Sequence, residues 1–206
     1  MKRLVTIFTL FIGILSGNAQ SQKVRFGITT GATVANYKVT VSSVSVTSKS
    51  KPGITLGVFS DIPLGSAGSF MPALNFVQKG GTLKAEGEKN RLTTNHFEVP
   101  LNFVYNAKLS NGKIFLGAGP SFNVGISGKS KWESAGMSGS DKVKFGKDED
   151  FKRVETALNV VTGYVGKSGI MVALNYNAGL SNMVAPDETD GKFYNRYFGL
   201  RLGFVL

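Results

Sequence analysis

The sequence predicts an all-β protein, an eight-stranded antiparallel up-and-down transmembrane β-barrel. Three observations carry that prediction. Apolar and polar residues alternate with period two over a series of segments about ten residues or more long. The linkers between those segments alternate long and short along the whole chain, as the external loops and internal turns of outer-membrane barrels do. The charged residues of the segments share a face with glycines and asparagines, so the apolar face is the one left to look outward. Composition agrees: 26 of 206 residues are glycine, well above the usual ~7%, and 18% are charged, below the roughly 25% of a soluble domain. The absence of cysteine excludes a disulfide scaffold, a thiolate metal site and a cysteine nucleophile. A single histidine, His96, gives no basis for a histidine-rich metal centre, and no cofactor or metal is expected.

The chain opens with Lys2 and Arg3, an apolar run from Leu4 to Leu15, and the small residues Ser16, Gly17 and Ala19. That is the pattern of a secretory signal peptide. The expected cut follows Ala19, giving a leader over 1–19 and one barrel domain over 20–206. The apolar run is too short for a spanning helix of ~20 residues, and no later stretch reaches that length.

Eight strands follow. Three have weaker alternation, roughly 24–36, 52–62 and 69–79. The fourth sets Phe97, Val99, Leu101, Phe103 and Tyr105 against Glu98, Pro100, Asn102, Val104 and Asn106. The fifth, from Lys113, sets Ile114, Leu116, Ala118, Pro120, Phe122 and Val124 against Phe115, Gly117, Gly119, Ser121, Asn123 and Gly125. The sixth alternates Leu158, Val160, Thr162 and Tyr164 with Ala157, Asn159, Val161 and Gly163. The seventh, Gly169 to Leu180, is the clearest, and the last places Phe198, Leu200, Leu202, Phe204 and Leu206 opposite Tyr197, Gly199, Arg201, Gly203 and Val205. The linkers are 37–51, 63–68, 80–92, 107–112, 127–152, 167–168 and 181–192. Turn residues fill the short ones: Pro63-Leu64-Gly65, Ser110-Asn111-Gly112 and Lys167-Ser168-Gly169. An even strand number puts both mature termini on the periplasmic side of an outer membrane.

Arg25, Asp61, Lys79, Glu98, Glu155 and Arg201 are expected to face the lumen and neutralise one another, because an unpaired charge there is costly. Eight strands leave an interior that side chains just fill, so a plugged cylinder is expected and an open pore is disfavoured. Two aromatic girdles are expected. Phe26, Phe70, Tyr105 and Tyr164 fall near the periplasmic strand ends, and Phe76, Phe97, Phe122, Tyr176, Phe193 and Tyr194 fall toward the loops.

The runs Pro52-Gly53-Ile54-Thr55-Leu56-Gly57-Val58-Phe59, Pro72-Ala73-Leu74-Asn75-Phe76-Val77-Gln78-Lys79-Gly80-Gly81 and Phe97-Glu98-Val99-Pro100-Leu101-Asn102-Phe103-Val104-Tyr105 resemble the PorT-type outer-membrane β-barrel family. Gly117-Ala118-Gly119-Pro120, Tyr176-Asn177-Ala178-Gly179-Leu180-Ser181-Asn182 and the closing Phe198–Phe204 run fit it too. The resemblance implies a barrel and no single activity; some members are tied to protein secretion, and many are called porin-like. The C-terminus resembles the signal read by the barrel-assembly machinery, with Gly199, Leu202 and Phe204 at the expected spacing, though the chain ends in Leu206 rather than an aromatic residue.

The functional expectation is a non-enzymatic barrel acting through its loops, as an accessory or interaction subunit of a larger outer-membrane complex or as a porin-like surface protein. Two alternatives stay open. One is a lipid-A-modifying enzyme built on His96, Glu98 and Ser121, with Ser121 pairing across from Glu98 if the hairpin turns at Leu109 and Ser110. Against it, all three point into the lumen and no G-x-S-x-G elbow accompanies the serine. The other is a narrow porin. The formal charge of +11 is concentrated in lysines of the long linkers, Lys38, Lys49 and Lys51 in the first and Lys129, Lys131, Lys142, Lys144, Lys147 and Lys152 in the third. For an outer-membrane protein the nearest polyanion is lipopolysaccharide rather than nucleic acid. Asp148, Glu149 and Asp150 lack the alternate spacing of a calcium loop. Trp132 is a candidate partner anchor in the third linker.

Overall fold

The computed structural model describes residues 23–41, 43–85, 87–147, 149–184 and 191–206. The expected leader lies outside the described residues. Ten strands are present in chain order: β1 (Arg25–Val41), β2 (Val44–Thr47), β3 (Lys49–Leu64), β4 (Gly68–Ala85), β5 (Glu88–Leu109), β6 (Gly112–Ser134), β7 (Met137–Val143), β8 (Val154–Gly166), β9 (Ile170–Gly179) and β10 (Lys192–Val205). Eight of them form an antiparallel ring in the order β10-β9-β8-β6-β5-β4-β3-β1, closed by β1 against β10 from Gly27↔Val205 to Thr40↔Lys192. The remaining two, β2 and β7, pair only with the upper ends of β1 and β6. Closure leaves no unpaired sheet edge at membrane depth, which is what lets strands cross a bilayer. No helix among the described residues is long and apolar enough to cross a membrane.

Side-chain direction follows the pleat. On β1 the even residues Phe26, Ile28 and Val34 are exposed, while Thr29, Thr33 and Ala35 are buried. On β9 and β10 the exposed set is Ile170, Val172 and Leu174 with Phe198, Leu200, Leu202 and Phe204, and Asn175, Asn177, Tyr197 and Arg201 are buried. The buried set across the ring includes Lys79, His96, Glu98, Asn123 and Glu155, each at 2% exposure or less. That is the reverse of a water-soluble fold, and it is the arrangement a hydrocarbon surround calls for, because the apolar face then meets lipid instead of water. The outward apolar stretch of β5, Phe97 to Tyr105, has the ~9–11 residues a tilted strand needs to cross.

The long linkers differ from expectation. Most of 37–51, 80–92 and 127–152 is strand, not loop. β4 and β5 pair continuously from Asn75↔Glu98 up to Ala85↔Glu88, and β6 pairs with β5 up to Glu88↔Ser134 and with β7 from Gly128↔Val143 to Ser134↔Met137. These segments are rich in lysine, serine and glycine, so alternation of hydrophobicity is lost while backbone pairing is not. The β6–β7 hairpin turns on Ala135 (φ 46°) and Gly136 (φ 80°), two left-handed residues in succession, as a two-residue turn matching strand twist requires.

The girdle expectation needs one correction. Phe193 points inward, 6% exposed, and stacks on Tyr37 with ring centroids 4.8 Å apart. Its odd number puts it on the face of Asn195 and Tyr197. Among the remaining aromatics, Phe76 packs edge-on against Phe97 at 6.5 Å, and Phe70 lies 5.2 Å from Phe103 on the side of the short turns.

Candidate functional site

The barrel interior is built in storeys. At the end where β1 begins and β10 finishes, Asp61 Oδ2 accepts from Arg25 Nη2 at 2.6 Å and from Lys113 Nζ at 2.8 Å. Above it Phe59, Val104, Phe115, Val161, Val165, Met171 and Ala173 form an apolar plug. At mid-height Glu98 accepts from the Tyr197 hydroxyl at 2.8 Å to each oxygen and from Asn75 Nδ2 at 3.3 Å, with Arg201 Nη2 3.6 Å away. Beyond that, Lys79 Nζ donates to Glu155 Oε2 at 3.1 Å, and Asn123 Nδ2 donates to the same oxygen at 3.2 Å. Tyr37, Leu92, Phe145, Met183 and Phe193 then close the long-hairpin end as a second apolar cluster. Burial there pushes the Tyr37 hydroxyl up to about 12.

The six charges singled out in the sequence therefore sit in three groups: Arg25 with Asp61, Lys79 with Glu155, and Glu98 with Arg201. Sequence reasoning missed the partners Lys113, Tyr197, Asn75 and Asn123. Strand parity places all four inward, so the signal was present in the numbering, but nothing in one strand tells which residue of a neighbour sits opposite.

His96, Glu98 and Ser121 are all buried on the inner face, and no hydrogen bond links them among the described residues. The turn falls at Ser110-Asn111, so Leu109 pairs with Gly112, Glu98 faces Asn123, and Ser121 faces Pro100. The expected pairing of Ser121 with Glu98 is thus off by two residues. Ser121 Oγ approaches Asn123 Oδ1 at 3.5 Å, and His96 packs edge-on against Phe145 at 5.6 Å. Neither imidazole nitrogen has a hydrogen-bond partner among the described residues. Of the acidic run, Asp148 lies outside the described residues, Asp150 accepts the Lys144 backbone N–H at 2.8 Å, and Glu149 lies 3.9 Å from Lys144 Nζ. Trp132 stands on β6, its indole N–H donating to Asp141 at 3.2 Å over Gly139.

Between the lower plug and the central charges lies a cavity of about 40 Å³, lined by Asn75, Glu98, Asn102, Asn159, Asn175 and Arg201 among others. That space is large enough for about three water molecules. Within a ring of this size side chains fill most of the lumen, and an open channel is disfavoured.

The outer membrane protein beta-barrel domain family matches residues 18–185. The chain belongs to that family. As an outer-membrane barrel it is similar in fold to OprG from Pseudomonas aeruginosa, at 10% identity and a TM-score of 0.53 over 88% of this chain and 95% of that one. It is also similar to Ail, the attachment invasion locus protein of Yersinia pestis, at 13% identity and TM-score 0.44, covering 90% and 100% of the two chains. Neisserial surface protein A matches at 13% identity and TM-score 0.42, covering 89% and 99%. No curated protein matches the sequence.

In the C-terminal run of this outer-membrane barrel, Gly199 faces inward against Asn175, while Leu202 and Phe204 face outward. β10 also carries half of the closing seam.

Proposed function

We propose that this outer-membrane barrel is a closed, non-enzymatic protein of the PorT kind that works as an accessory or interaction subunit through its long-hairpin end. On this reading the leader 1–19 directs export and is removed, both mature termini lie in the periplasm, and the hairpins stand at the cell surface. Gly199, Leu202 and Phe204 serve insertion by the barrel-assembly machinery. The link to protein secretion rests on the resemblance of the Pro52–Phe59, Pro72–Gly81 and Phe97–Tyr105 runs.

The observation that carries the reading is the filled lumen. A cavity of about 40 Å³ between two apolar clusters gives a solute no path, so chemistry or transport through the interior is disfavoured. What extends beyond the membrane is an ordered sheet, and a stiff, prepaid surface is what partner binding favours. Crosslinking in intact outer membranes followed by pull-down tests it: a reproducible protein companion, lost on shortening the β4–β5 or β6–β7 hairpin, is expected. A barrel recovered alone after crosslinking, or one that conducts sugars in liposomes, would overturn it.

A further inference from the structure

The upper parts of β4, β5 and β6, with β7, form a four-stranded sheet beyond the apolar band, and its outward face sets six cations, Lys84, Lys89, Arg91, Lys129, Lys131 and Lys142, against a single carboxylate among neutral residues. Strand pairing sets the residues out in rows. Row one runs Gln78, Asn95 and Ser127, just above the band marked by Phe76, Phe97 and Val124. The next runs Gly80, Thr93, Lys129 and Lys142, and the one above it runs Lys49, Thr82, Arg91, Lys131 and Ser140. The top row is Lys84, Lys89, Glu133 and Ser138. In each of the three upper rows two cations stand directly opposite each other across a strand pair: Lys129↔Lys142, Arg91↔Lys131 and Lys84↔Lys89. Glu133 is the one carboxylate on this face among the described residues, and Lys89 already holds it through bonds of 2.8 and 2.9 Å.

Like charges directly opposite in a ladder destabilise it, so three such pairs on one face are a cost that the fold itself does not need. Arg91 also bears on Lys51, whose ammonium is held below its usual range by burial and then by that neighbouring charge. An anion seated between paired cations reverses the sign of each contact, and a phosphate accepts from two ammonium groups or from a guanidinium fork at once. Height selects the anion. Thr93 and Lys129 lie four residues beyond Phe97 and Val124 with the bulge counted on β6, about 13 Å along the strand at ~3.3 Å per residue. A strand tilt of about 40° makes that about 10 Å above the Phe97–Val124 row, beyond the ~5–8 Å that an ordinary headgroup layer adds on each side, so a headgroup as tall as a phosphorylated saccharide is needed to reach it.

We propose that this face binds the phosphorylated saccharide headgroups of glycolipids in the leaflet around the barrel, lipopolysaccharide being the chemistry that fits, with a phosphate seated at the Lys129–Lys142 and Arg91–Lys131 pairs. The inference rests on the reading that the hairpins face outward. It makes the hairpin sheet a lipid-ordered element: headgroups that offset the repulsion also fix the surface presented to a partner.

The test uses the full mature chain refolded into phosphatidylcholine nanodiscs that contain diphosphoryl lipid A, monophosphoryl lipid A or neither, with amide exchange of residues 128–143 as readout. Expected is protection rising with phosphate number, at least fivefold with diphosphoryl lipid A, and lost in the variant Lys129→Gln/Lys131→Gln/Lys142→Gln. The corresponding triple arginine variant keeps the protection, and the mobility shift of a folded barrel on unheated gels shows that each variant has folded. Protection independent of phosphate, or unchanged by the glutamine variant, overturns the proposal. Equal protection by inorganic pyrophosphate or heparin in lipid-A-free discs overturns it in favour of a soluble polyanion. Sidedness is read separately with Ser138→Cys, the only thiol in the chain. Labelling of intact cells by a membrane-impermeant maleimide, without phosphate-dependent protection, rejects this inference alone; no labelling until the membrane is permeabilised rejects the outward orientation and the inference together.

Discussion

Removing the carboxylate from the buried Lys79–Glu155 pair provides the sharpest energetic test of the interior. Both side chains are at most 1% exposed, and the ammonium lies 3.1 Å from Glu155 Oε2. Lys79 also sits 5.4 Å from the centre of the Tyr197 ring, too weak a contact to replace a lost counter-charge. Glu155→Gln keeps the side-chain volume and the acceptor for Asn123 but leaves a buried ammonium uncompensated. Breaking one partner of such a pair costs about 3–5 kcal/mol, about a 150- to 5000-fold fall in the folding equilibrium. Replacing both, as in Lys79→Met with Glu155→Gln, removes the stranded charge and is expected within about 1 kcal/mol of the parent. Urea titration of the barrel in lipid vesicles, followed by the folded-form gel shift, gives all four corners of the cycle. A single Glu155→Gln costing under about 1 kcal/mol, or a double variant costing the sum of the singles, would refute a desolvated, mutually dependent pair.

Other expectations follow from the same structure. Lys131→Gln relieves the repulsion with Arg91 and should stabilise the hairpin sheet in phosphate-free lipid by about 0.2–1 kcal/mol, seen as slower amide exchange in 128–134. Gly119→Val should prevent closure, because a Cβ there collides with the Leu101 carbonyl oxygen, and the folded-form gel shift should vanish. The Glu133 carboxyl is held below its usual range by the Lys89 hydrogen bond and charge. Its contribution is therefore complete above the ordinary glutamate range and lost as pH falls through the depressed value, so exchange around Lys89↔Glu133, where the start of β5 meets the end of β6, should quicken only on acidification below that range. His96→Ala should leave lipid A species unchanged by mass spectrometry, since His96 is enclosed at 0% exposure behind Phe145.

Most of the architecture was legible because lipid and a filled lumen impose opposite chemistry on alternate residues. Leu174 and Asn175, or Leu200 and Arg201, declare their faces without reference to any neighbour. The eight ring strands and the three tight turns follow from that alternation. Two things were hidden for physical reasons. Beyond the band both faces of the sheet meet water, so Lys129–Glu133 carries no hydrophobic rhythm and its pairing is invisible along the chain. Register is a property of two strands together: shifting the β5–β6 turn by one residue moved Ser121 from Glu98 to Pro100 while leaving every face correct. The candidate site shows the same division. That Glu98 and Arg201 point inward was readable, whereas the Tyr197 hydroxyl bridging them, and Lys113 joining Arg25 on Asp61, depend on contacts across the barrel.

Spin labels introduced singly at 174, 175, 176 and 177 of β9, in a chain with no native cysteine, measure the inside-out arrangement directly in lipid vesicles. Labels replacing Leu174 and Tyr176 should relax with oxygen dissolved in the bilayer, and those replacing Asn175 and Asn177 should be immobile and screened from it. Uniform accessibility along these four positions, or oxygen contact at the asparagines and not at Leu174 and Tyr176, would contradict a barrel clothed in apolar side chains around a polar core.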